Sequence, residues 1–156
     1  MLDFNKLEKY KENNRIEAKQ AVGGLPQSIW ESYSAFANAQ GGVILLGVEE
    51  TEDKTLRAVE LPAPEKIITE FWDILNDPLQ VSKNILSPDD VQVRRADGKI
   101  VVAVYVPQAD VKDKPVYIGR DVYQGTYIRK GEGDCRCSCI EIEKMLEDAE
   151  RQKKYD

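Results

Sequence analysis

The stretch SAFANAQGGVILLGVEE, residues 34–50, decides the fold. Its first half continues an apolar helical stripe that starts upstream at Ile29 and Trp30 and runs through Tyr33, Phe36 and Ala37. Ser28 followed by Glu31 has the spacing of a capping box and predicts where that helix begins. Gly41 stands where a residue in left-handed conformation ends a helix. Gly42 and Val43 then open VILLGVE, apolar on both faces as a strand in the middle of a sheet should be. Helix, tight turn and central strand in series predict helices layered on a sheet.

Working outward, residues 3–12 predict a helix anchored by Phe4 and Leu7, and Asn13-Asn14 a turn. RIEAKQ, residues 15–20, reads as a strand with Ile16 and Ala18 on one face and Arg15, Glu17 and Lys19 on the other. After a polar loop over 49–55, a helix carries Ile67, Ile68, Phe71, Trp72 and Leu75 and stops at Asp77-Pro78. Residues 79–88 look irregular. Asp97-Gly98 between VQVRRA and KIVVAVYV is a strong hairpin signal. PVYI and VYQGTYIRK, either side of Gly119-Arg120-Asp121, predict two more strands. A last helix buries Ile142, Met145, Leu146 and Ala149 before fraying into a charged tail over 149–156. The expected fold is α+β, a mixed, mostly antiparallel sheet packed with about four helices, in one domain over residues 1–156.

Composition narrows the function classes. With 42% hydrophobic and 32% charged residues the chain reads as globular and soluble. Its longest apolar run, Val43–Leu46, is far too short to span a bilayer, and the charged start lacks a signal-peptide core, so a cytoplasmic location is expected. The net charge of −6 counts against broad nonspecific nucleic-acid binding, which depends on Lys and Arg neutralising phosphates. Local basic patches still act over a Debye length of roughly 10 Å. The chain has no histidine, which removes His-based nucleophile activation and His metal ligands. Cys135, Cys137 and Cys139 all fall in CRCSC, an odd count without zinc-site spacing, and read as free thiols. Ser138 with Glu141 is a second capping box and places Cys139 in the first turn of the last helix.

The segment Glu17-Ala18-Lys19 projects a carboxylate and an ammonium from one strand face. Metal-dependent nucleases use that pairing, the carboxylate on Mg²⁺ or Mn²⁺ and the lysine on the charged phosphate. Glu12 and Glu49 or Glu50 are further candidate ligands, and such oxygen donors suit those ions better than zinc. A solvated strand face of alternating charge explains the same residues. Asn38, opposite the apolar stripe, either caps neighbouring backbone or faces a ligand. Gly41 and Gly42 follow a helix instead of opening one, the wrong order for a phosphate cradle. Tyr127, Arg129, Arg94 and Arg95 offer cations and aromatic surface suited to nucleic acid, with Lys112, Lys114, Arg120, Lys130 and Arg136 as further cations.

In combination, E-x-x-x-x-E-x-K (Glu12, Glu17, Lys19), SAFANAQGG with ILLGVEE, KPVY and GTYIRKG before a final helix resemble the Schlafen AlbA-like domain family. The resemblance covers about residues 10–148 and implies a DNA-binding module, commonly placed ahead of a winged-helix or ATPase-like region in bacterial regulators. In Schlafen proteins it implies ribonuclease activity on three carboxylates, which match Glu12, Glu17 and Glu50, or Glu49 with a one-residue slip. Departures are Ala18 for the usual aromatic, Glu50 for the usual aspartate, and CRCSC in a segment usually of Ser, Thr and Pro.

Three function classes follow. The first is a nucleic-acid-binding module of a transcriptional regulator, homodimeric, using Arg94, Arg95, Tyr127, Arg129 and Lys130. The second is a Mg²⁺- or Mn²⁺-dependent ribonuclease with Glu12, Glu17 and Glu50 as ligands and Lys19 as electrostatic stabiliser. The third is a protein-interaction or dimerisation domain without catalysis.

Overall fold

The computed structural model describes residues 2–155, so Met1 and Asp156, the ends of the expected domain, lie outside the described residues. The quoted stretch folds as its pattern predicts. Helix α1 (Ile29–Asn38) ends at Gly41, whose φ of +78° is a left-handed conformation, and β2 (Gly42–Leu46) follows at once. β2 is an inner strand of a four-stranded sheet ordered β1-β2-β6-β5. It runs parallel to β1 (Ile16–Lys19) and antiparallel to β6 (Lys99–Val106). The hairpin partner β5 (Val91–Ala96) forms the far edge, and Asp97 and Gly98 both take positive φ in the two-residue turn.

Alternation along these strands divides the core. Ile44, Leu46, Val102 and Val104 pack with α1 and with α2 (Pro64–Leu75) through Ile67, Phe71 and Leu75. Val43, Leu45, Val101 and Ala103 pack on the opposite face with Phe4 and Leu7. A β7–β8 hairpin (Tyr127–Lys130 and Gly133–Arg136) covers α1 on the side away from the sheet. Helix α1 is therefore enclosed, and its polar side chains Ser32, Ser34 and Asn38 are buried together with its apolar stripe.

Several expectations are corrected. The 3–12 helix shrinks to a single 3-10 turn at Leu7–Lys9, although Phe4 and Leu7 do anchor it. Two anchors are too few for a helical stripe, and the chain is drawn out so that the Tyr10 C=O can accept from the Leu56 N–H. Ser28 does not cap α1; it sits in helical conformation and its Oγ accepts from Lys19 Nζ at 3.0 Å. VILLGVE breaks at Gly47 (φ +85°), and β3 (Val48–Glu50) pairs instead with β4 (Leu56–Ala58) in a separate sheet. PVYI makes only isolated bridges, and residues Val122–Gly125 form a helical turn, α3, capped by Asp121. The final helix α4 (Cys139–Lys154) keeps its Ser138–Glu141 capping box but runs past 149, and only Ile142 and Ala149 are buried while Leu146 is exposed.

The fold is α+β, with four α-helices and mostly antiparallel strand pairs among the described residues. No described helix is long and apolar enough to cross a membrane. The corner at residues 41–42 tolerates no side chain. A Cβ on Gly41 would lie 2.7 Å from the Val106 C=O, and one on Gly42 would lie 2.6 Å from the Phe36 ring and 2.9 Å from the Arg15 C=O. Gly42→Ala is expected to lower unfolding free energy by about 2 kcal/mol in urea titrations, through overpacking against backbone that cannot retreat.

Candidate functional site

Strand alternation sends Tyr127 and Arg129 toward α1 and Ile128 and Lys130 toward α4. Arg129 is thereby buried to 1% side-chain exposure, with its guanidinium 4.8 Å over the Phe36 ring. All five of its N–H donors are used. Nε and one Nη2 hydrogen bond the Asn13 C=O (3.2 and 2.8 Å), and Nη2 also bonds the Ile16 C=O at 3.0 Å. Nη1 donates to Glu17 Oε1 at 2.9 Å and to Asp134 Oδ1 at 2.7 Å. Asp134 accepts a further bond from the Ser32 hydroxyl at 2.6 Å.

The carboxylates expected from sequence gather around this guanidinium. Glu17 lies between Arg129 and Lys19, whose Nζ is 3.6 Å from Oε2. Glu12 Oε2 accepts from the Ala18 N–H at 2.9 Å. Burial foremost, and then the charge of Glu17, a hydrogen bond with it and the charge of Glu50, push the Glu12 carboxyl up to about 7 against the lowering effect of the Ala18 bond. Of the two adjacent β3 glutamates, Glu50 acts on Glu12, whereas Glu49 is tied to Arg57 and to Gln20 Nε2 at 3.3 Å. Glu50 also meets Lys54 at 3.6 Å.

This gathering does not fit a divalent ion. Among the described residues no three His, Cys, Asp or Glu side chains are grouped so as to hold a metal. Glu17 is already held from both sides by Arg129 and Lys19. The ligand set Glu12, Glu17 and Glu50 is thus near but not closed. The three thiols are likewise not a site: Cys137 is buried, which above all pushes its thiol up to about 11, while Cys139 is exposed on α4.

The expected nucleic-acid surface is dispersed. Arg129 has no donor left for a phosphate, and Tyr127 is buried, because both side chains serve the β7–α1 contact. Arg94 is half-buried, stacked 4.4 Å over Phe4. Arg95 and Lys130 are exposed, Arg95 on the sheet edge farthest from β1 and Lys130 3.6 Å from Glu141. Asn38 turns out to be a staple. Its Oδ1 accepts from the Val116 N–H at 2.8 Å, and its Nδ2 donates to the Val116 and Tyr127 C=O groups at 2.9 and 2.8 Å.

Sequence reasoning missed a groove of about 690 Å³ at the start of α1, lined among others by Gln27, Glu31, Gln80, Arg120, Gln124 and Arg136. Trp30 forms part of its wall, stacked on Phe71 with ring centroids 5.0 Å apart, and its Nε1 is buried without a partner. Arg136 sits opposite Tyr127 in the hairpin register, with Nη1 3.1 Å from Gln124 Oε1. Arg120 makes no hydrogen bond among the described residues and feels Asp77 only at longer range. The groove adjoins the charged centre through α1, where Ser28 and Ser32 contact Lys19 and Asp134 while Gln27 and Glu31 face the groove.

Comparison with known proteins adds three findings. The family described as Schlafen, AlbA_2 matches residues 12–138. The N-terminal domain of a RecG-related protein from Nitrosomonas europaea is 33% identical with a TM-score of 0.63, over 88% of this chain and 94% of that one. The DIP2311 protein from Corynebacterium diphtheriae shares the fold at 18% identity and TM-score 0.55, over 80% of this chain but 22% of its own length. No curated protein matches.

Two outcomes test the centre. Arg129→Met is expected to lower stability by about 3–5 kcal/mol, since it leaves Glu17, Asp134 and two carbonyls without their donor. Arg129→Lys should recover little, because an ammonium cannot fork across four acceptor atoms. Glu12 has a folded-state pKa above its unfolded value, so its stabilising contribution is full below about 4.5 and is lost as pH rises through about 7. Glu12→Gln copies the protonated carboxyl and should flatten that fall, raising stability at pH 8 relative to pH 5. With solvent screening of a half-buried group the gain is about 1–2 kcal/mol, readable in thermal melts at the two pH values.

Proposed function

Because the chain belongs to the Schlafen AlbA_2 family, we propose that it is the nucleic-acid-binding module of a cytoplasmic bacterial transcriptional regulator. In this reading a winged-helix or ATPase-like domain acts downstream of it. The observation that carries the proposal is the groove beside α1. Its volume suits a nucleotide-sized group, its wall is the edge of Trp30, and Arg120 and Arg136 stand at its rim. Side-chain amides from Gln27, Gln80 and Gln124 can donate to and accept from base edges. The similar domain from Nitrosomonas europaea comes from a protein named for its relation to an ATP-dependent DNA helicase, which supports the same class of ligand.

Charge shapes how such binding should look. Asp121 and Glu31 also line the groove, Asp121 occupied as the α3 cap and Glu31 acting on Arg136. With a net charge of −6 for the whole chain, attraction is confined to the groove rim. Lys130, on the β7–β8 hairpin, is exposed but turned toward Glu141 of α4 and does not line the groove. The ribonuclease alternative needs Glu12, Glu17 and Glu50 to share a divalent ion, and the arrangement described above does not supply that ligand set.

Fluorescence anisotropy with short single-stranded and duplex DNA and RNA, across salt concentrations, tests the reading. Binding should be detectable at low salt, with a shallow log–log slope of about −1 to −2 for one or two phosphates. Arg136→Ala combined with Arg120→Ala should weaken it by about tenfold and flatten the slope. No binding at low salt, or binding indifferent to the double substitution, refutes the groove as the interface.

A further inference from the structure

The groove lies at the first turn of α1. A smaller cleft of about 280 Å³ opens by the last residue of that helix, Asn38, and is lined from β7, α4 and the 3-10 turn Val111–Asp113. Strand alternation decides what β7 gives it: Ile128 points toward α4 and stands half-buried in the cleft. Met145 adds an apolar side chain from α4, and Val111, 41% exposed, another from the turn. Three separate elements thus leave apolar surface facing one space. Asn38 lines it too, but its amide is already bonded to Val116 and Tyr127 and offers nothing to a ligand.

The charges around the cleft leave one cation over. Glu141 accepts from the Ser138 N–H and faces Lys130 at 3.6 Å. Asp148 is held by Lys144 at 3.5 Å and by Arg151 at 3.4 Å. Lys114, which opens the motif KPVY at residues 114–117, lines the cleft half-buried. Its ammonium makes no hydrogen bond or ion pair among the described residues. Burial, acting without an offsetting carboxylate, holds this amine below the usual lysine range. A half-buried ammonium without a counter-charge weighs on the fold, and one monovalent anion would relieve it. A doubly charged anion fits less well, because the carboxylates of Glu141 and Asp148 line the same cleft and repel it.

We propose that this cleft binds a free straight-chain monocarboxylate, with its carboxylate on Lys114 Nζ and its hydrocarbon chain along Val111, Ile128 and Met145. The cavity is smaller than those that hold drug-sized molecules, which sets the chain at a few carbons and not at the length of a membrane lipid tail. Met145, unbranched and polarizable, adapts to the chain that enters. An occupant touches α4, β7 and the turn at once, so it ties the last helix to the strand beneath it and raises thermal stability. The site shares no residue with the groove and does not depend on nucleic acid.

Titration of the isotope-labelled chain with butyrate, hexanoate and octanoate, followed by NMR, tests the site. Amide shifts should gather at Val111, Lys114, Ile128 and Met145. Kd should fall by about fourfold for each methylene added from butyrate to hexanoate, and level off once the chain fills the cleft. Lys114→Met keeps the stem and removes the charge. It should weaken hexanoate by about tenfold or more and melt no lower than the natural chain, so that lost binding is not lost folding. Hexan-1-ol, which has the chain without the charge, should bind the natural chain more weakly than hexanoate by a similar factor. Val111→Ser shortens the apolar wall and leaves the ammonium in place, so it should weaken hexanoate more than butyrate. No shift with any of the three acids, an affinity indifferent to chain length, or hexanoate binding that Lys114→Met does not weaken overturns the proposal.

Discussion

The buried guanidinium of Arg129 is the contact on which the rest of the arrangement depends. It joins three pieces of chain that have no sheet in common: the outer edge of β1, helix α1 through Phe36 and Ser32–Asp134, and the β7–β8 hairpin that carries it. A lysine could neutralise Glu17 and Asp134 but could not also hold two carbonyls in one plane. Burying a cation this deeply is tolerable only because every donor is matched and two carboxylates offset its charge. The hairpin can therefore lie on a helix that is already covered on its other side by the sheet.

That junction also explains why the carboxylates crowd. Glu17 must face Arg129, Glu12 must reach the Ala18 N–H to close the same strand edge, and Glu50 leaves β3 on the same side. Burial above all, with the charges of Glu17 and Glu50 added to it, raises the Glu12 pKa and so favours a proton there. Charge is thus settled internally at the centre. The cations that line the groove, Arg120 and Arg136, lie outside this cluster.

Much of this was legible in the sequence, and what was not has physical reasons. The corner at Gly41-Gly42, the inner strand β2 and the hairpin at Asp97-Gly98 follow from period and turn chemistry alone. The E-x-K strand singled out Glu17, spacing added Glu12, and the family resemblance favoured Glu50 over Glu49; the structure brings Glu12, Glu17 and Glu50 near one another. Arg129 was misplaced on the surface, although a signal existed: on a strand it shares a face with Tyr127, and a buried tyrosine takes its i+2 neighbour inside with it. Asp134 and Ser32 carried no signal, since their meeting across 102 residues is set by where the hairpin lands. Strand β8 was invisible because Gly133-Asp134-Cys135-Arg136 has neither alternation nor β-branched residues.

The contrast between the sheet edges follows from the same economy of partners. β1 is closed by Arg129 and Glu12 because the hairpin and the N-terminal segment lie beside it, and their side chains reach its backbone. Among the described residues no strand pairs with β5 on its outer side, and the chain leaves it through a tight turn straight into β6. An open edge of that kind invites any extended segment, and a run of one charge sign along it would repel a second copy.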